Sequence, residues 1–131
     1  MSNVKLNRVL VANAMFSILC SVDLLLFSDI IAEYMGGFDP QYLLILGVSL
    51  IIFGGFVLWV SRQPENARLA SEIVFMDRSW VVGSVILMFL GSEWFSTAGL
   101  AIITVVAVIV AVFAELQNRY IKLLQLEAGE R

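Results

Sequence analysis

YLLILGVSLIIFGGFVLWV, residues 42–60, contains no charged side chain. A helix rises about 1.5 Å per residue, so roughly 20 apolar residues cross about 30 Å of hydrocarbon. A helix that is apolar on every face has to be surrounded by apolar matter. Three further runs of similar reach lie around it, at Val9–Phe27, Ala70–Leu90 and Ala98–Leu116. Together they predict an all-α integral membrane protein, with residues 1–131 forming a single transmembrane domain. The connections are short. Consecutive spans are therefore expected to be antiparallel neighbours in a four-helix up-down-up-down bundle.

Composition agrees. Of 131 residues, 60% are hydrophobic and 15% charged, against about 45–50% apolar and about 25% charged in a soluble domain. The net charge of −3 is small, and no basic stripe interleaved with aromatics marks a nucleic-acid groove. No nucleic-acid partner is expected. There is no histidine, and Cys20 is the only cysteine. Haem held by histidine, His/Cys metal sites, a Ser-His-Asp triad and an internal disulfide are thereby removed. No metal and no cofactor are expected. The first apolar run exceeds the roughly 7–15 residues of a secretory h-region, so it is expected to be a retained helix.

Charge sets the orientation. Of the eight basic residues, all but Arg78 fall in the N-terminal segment (Lys5, Arg8), the second connection (Arg62, Arg68) or the tail (Arg119, Lys122, Arg131). The first connection carries Asp29, Glu33 and Asp39 and the third carries Glu93, with no base in either. The positive-inside rule then puts both termini in the cytoplasm. Tyr34, Tyr42 and Trp94 stand at outer ends of spans, and Trp59 and Tyr120 at inner ends, where amphipathic rings prefer the headgroup layer. Gly36-Gly37 and Asp39-Pro40 break the chain before the second span, and Ser96 is placed to cap the fourth. Asp29–Met35 reads as a short interfacial helix. Residues 117–131 read as an amphipathic cytoplasmic tail with Leu116, Tyr120, Leu123 and Leu124 on its apolar side; that side serves either as a helix end against headgroups or as a docking surface.

Ionisable groups inside a span cost about 2.5–3.5 kcal/mol at the bilayer centre, which makes them the first functional candidates. Asp77 and Arg78 lie on the cytoplasmic third of the third span. Adjacent helical residues point about 100° apart, so Arg78 is expected to reach for headgroups while Asp77 turns into the bundle. Asn13 and Glu115 lie at similar depth, and an inner-leaflet cluster of Asn13, Asp77, Arg78 and Glu115 is expected. It serves either as hydrogen bonding that fixes register or as a ligand, proton or ion site; a later start to the third span would leave Asp77 and Arg78 in the interface instead. Asp23, one turn short of the outer end of the first span, reaches water or an incoming partner. Cys20 has no base beside it and reads as packing. Helix-packing surfaces are read at Gly47, Gly54 and Gly55, and on a face of Thr97, Thr104, Ala107, Ala111 and Ala114, since small residues let backbones approach in lipid.

Asn13-Ala14-Met15-Phe16-Ser17, Asp77-Arg78-Ser79-Trp80-Val81 and Phe113-Ala114-Glu115-Leu116-Gln117 carry a resemblance over nearly the whole chain. The chain resembles small bacterial four-span membrane proteins of unassigned function, similar in layout to the DoxX-like proteins. That resemblance implies the fold, a location in the bacterial inner membrane, and Asn13, Asp77 and Trp80 as key positions. Three functions follow in order. The first is a non-catalytic bundle that assembles with itself or serves as an accessory subunit of a larger membrane complex. The second is a small-solute or proton transporter or channel working as an oligomer through Asp77 or Asp23. The third is an enzyme acting on lipid or quinone, which would need Asp77, Glu115 or Glu72 as its base.

Overall fold

The computed structural model describes residues 2–64 and 66–129, which are helical apart from their turns. The elements are α1 (Ser2–Leu26), α2 (Ser28–Met35), α3 (Gln41–Ser61), α4 (Ala67–Leu90), a single 3₁₀ turn (Ser92–Trp94) and α5 (Thr97–Gly129). The α1, α3, α4 and α5 helices are each long and apolar enough to cross a membrane.

Local chemistry starts and stops these helices much as the punctuation predicts. A short helix, α2, stands where one was expected, with Ala32 and Met35 turned inward and Ile30 and Tyr34 outward. It ends on Gly36-Gly37, whose N–H groups both close on the Ala32 carbonyl, at 3.1 and 2.8 Å. Gly37 adopts φ +80°, where a Cβ is disfavoured. The Asp39 carboxylate then accepts the Gln41 N–H at 2.9 Å and opens α3. Ser96 caps α5 as expected, its Oγ accepting the Gly99 N–H at 3.0 Å. Ser96 also donates its hydroxyl to the Tyr34 carbonyl at 2.8 Å and its N–H to that of Met35, which ties the start of α5 to the end of α2.

The helices pack in the order α3, α1, α5, α4, with α1 and α5 at the centre. This corrects one expectation: α3 and α4 follow one another in the chain but barely touch. The α1 helix takes Gly47 and Gly54 of α3 close against its Leu25, Ile18 and Ala14, and the Asn66 amide at the head of α4 donates to Asn7 of α1. The densest packing joins Leu6, Leu10 and Ala14 of α1, Val57 and Val60 of α3, Ala70 and Ile73 of α4, and Ala114 and Ile121 of α5.

The glycine surface divides. A Cβ on Gly54 would lie 2.7 Å from Ile18 Cγ1 and 3.2 Å from the Ala14 carbonyl oxygen, and one on Gly47 would lie 3.0 Å from the Leu25 side chain. A Cβ on Gly55 would meet nothing within 4 Å from other elements, and Gly55 is exposed, so it takes no part in the α1–α3 contact. On α5, Ala107 and Ala114 are buried and Ala111 is half-buried, whereas Thr97 and Thr104 are exposed. Thr104 instead bonds its own helix at the Leu100 carbonyl and approaches Met88 Sδ at 3.4 Å.

Candidate functional site

Helical spacing brings three polar side chains to one buried point. On α4, Asp77 follows Ala70, Ile73 and Val74 on the buried stripe; on α1, Asn13 follows Leu6 and Leu10. On α5 the stripe Ala107, Val110, Ala114 continues to Gln117 and Ile121. Asn13, Asp77 and Gln117 are 1%, 3% and 0% exposed. Asn13 Nδ2 donates to Asp77 Oδ2 at 2.9 Å and to Gln117 Oε1 at 3.1 Å, while Gln117 Nε2 donates to the same Asp77 oxygen at 3.0 Å. The three helices are thereby locked in register around one carboxylate.

This is only part of the predicted cluster, and Gln117 was not in it. Reading the fourth span as ending at Leu116 placed Gln117 in the tail, yet the small-residue face repeats every three or four positions and lands on it. The α5 helix runs unbroken for 33 residues, and the buried side of its last part is Gln117 and Ile121; Leu116 is half-buried there and Leu123 exposed.

Arg78 and Glu115 form a separate group. Arg78 Nη2 lies 2.9 Å from Glu115 Oε1, with Nε at 3.3 Å from the same oxygen. Their side chains are 50% and 67% exposed, on the outward surface of α4 and α5. Arg78 and Asp77 do point in different directions, but Arg78 engages a carboxylate of the neighbouring helix. Asp23 stands exposed on α1, about 15 Å along the axis from Asn13.

Above the triad lies a cavity of about 210 Å³ whose polar floor is Asn13 and Asp77. Its walls are mostly apolar, from Phe16 of α1, Phe53 of α3, Trp80 of α4 and Val110 of α5. Ser17 and Cys20 add small polar groups from α1. Ser49 of α3 and Met76 of α4 line it and are also exposed, so the cavity reaches the surface between these two sparsely packed helices. Both hydrogen bonds received by Asp77 fall on Oδ2, and none from the described residues reaches Oδ1. Asn13 Oδ1 is buried and likewise unpartnered. Chemically this is an acceptor-rich floor beneath a hydrophobic chamber. No protein-family model, curated protein or solved structure matches the chain.

Proposed function

We propose that the chain is a non-catalytic, multi-pass protein of the cell membrane that assembles laterally, with copies of itself or as an accessory subunit of a larger membrane complex. The outward surfaces of its long helices carry Leu19, Ile52, Phe75 and Phe89 at 62 to 82% exposure, a surface suited to hydrocarbon rather than water. The up-down-up-down arrangement draws support from the core, where residues near the N-terminal ends of α1 and α4 meet residues near the C-terminal ends of α3 and α5. The basic residues Lys5, Arg8, Arg62, Arg68, Arg119 and Lys122 belong to those same ends, which the positive-inside rule assigns to the cytoplasm. The DoxX-like layout, and with it a bacterial inner membrane, is proposed from the sequence resemblance alone.

The observation that carries lateral assembly is the Arg78–Glu115 pair. It faces away from the bundle among exposed Phe75, Val82, Val108 and Val112. An ion pair half in contact with lipid is costly, and a facing helix with polar groups would cover it. The non-catalytic reading rests on the acid-base inventory: there is no histidine, and Asp77 and Glu115 are both engaged by neighbouring side chains. In mild detergent the wild type should run as a discrete oligomer or with a co-purifying membrane partner, and Glu115→Arg should dissociate it. A wild-type chain that elutes as a clean monomer with no partner overturns this reading.

A further inference from the structure

The buried triad has acceptors to spare. Asn13 Nδ2 already serves two oxygens, and the Gln117 amide adds its donation to the same Asp77 oxygen. Among the described residues Asn13 Oδ1 is buried without a donor, both donations to Asp77 fall on Oδ2 and none on Oδ1, and Asn13 and Asp77 line the floor of one cavity. The neighbouring cation in the sequence, Arg78, is committed to Glu115 on the outer surface. Burying a carboxylate without a cation is expensive, and a carboxylate with one oxygen unserved calls for a positively charged group that carries N–H bonds. The walls add a second criterion. Phe16, Phe53 and Trp80 border the cavity, and aromatic faces attract cations most strongly where water is excluded. Size gives a third: about 210 Å³ exceeds the roughly 150 Å³ that accepts benzene and falls below the roughly 300 Å³ of drug-sized pockets.

We propose that this cavity binds a small hydrophobic ammonium compound, with its charged N–H group against the Asp77 carboxylate and its apolar body among Phe16, Phe53 and Trp80. Entry is sideways from the lipid, between Ser49 and Met76, where α3 and α4 stand apart. The charge and the donors select against neutral molecules of the same shape. The proposal is independent of lateral assembly, since every residue of the site comes from one chain.

The test is equilibrium dialysis of labelled 2-phenylethylammonium against the protein in nanodiscs, with empty nanodiscs as the blank. Wild type should bind it saturably at one per chain. Asp77→Asn, which keeps the shape and removes the charge, should bind about ten- to a hundredfold more weakly, and so should wild type offered 2-phenylethanol. Ser49→Trp fills the mouth from an exposed position away from the triad, and should abolish binding without changing thermal unfolding. Uptake no greater than by empty nanodiscs overturns the proposal. So does equal affinity for the alcohol, or full binding by a folded Asp77→Asn. If Asp77→Asn does not fold, Ser49→Trp and the alcohol decide, and undiminished binding in Ser49→Trp counts against the cavity.

Discussion

Asp77 and Arg78 are chain neighbours with opposite environments, and the 100° turn between successive helical residues is enough to separate them. One is 97% buried among amides of two other helices, since its exposure is 3%; the other is half-exposed in an ion pair. That division was legible in the sequence. The partners are less so: a polar Gln117 just past an apolar run looks like the end of a span, whereas on an otherwise small and apolar stripe it marks a buried contact. Asn13 and Gln117 donate to the same carboxylate oxygen and bond each other, so their contributions should be coupled. Asn13→Ala and Gln117→Ala are each expected to destabilise by about 1–2 kcal/mol. The double variant should cost less than their sum by about 0.5 kcal/mol or more. Thermal or denaturant unfolding in one detergent provides the cycle, and strict additivity would show that the triad is three separate contacts.

At the scale of elements, the long helices were readable because apolar length dictates them, and the caps because Gly, Pro, Asp and Ser have few other uses at such positions. Which face of a span packs was harder. In lipid, apolar residues look alike inside and out, so periodicity of hydrophobicity gives little guidance and only small residues speak. Gly54 and Gly55 illustrate the limit. They are adjacent and identical, but α1 meets only the first. Gly54→Ala puts a methyl against Ile18 and the Ala14 carbonyl and should destabilise by about 1–3 kcal/mol through overpacking. Gly55→Ala meets open space and should be neutral or stabilising by up to about 1 kcal/mol, the helix propensity gained. Comparing the two melting temperatures checks the assignment; equal losses would mean that α1 and α3 are not in close contact at Gly54.

On the scale of the whole molecule, sequential neighbours need not pack, and the chain shows why. The α1 helix offers Ala14 and Ser21 to α3 and Asn13 to α4 and α5, so it takes a central place and leaves a lateral gap between α3 and α4. No charge pattern encodes that arrangement, because contacts between helices distant in the chain set it. Charge carries the proposed orientation. In a Cys20→Ser background, single cysteines at Asp39 and Glu93 should react with a membrane-impermeant maleimide in intact cells. Those at Arg62 and Lys122 should react only after permeabilisation. The positive-inside bias comes from the cationic residues of the termini and second connection, so Arg62→Cys and Lys122→Cys are each read in a chain that keeps the remaining bases. Labelling of Lys122→Cys from outside would detach the long α5 helix from the cytoplasm. It would also remove the basis for placing the Asp77 cavity on the inner side of the membrane.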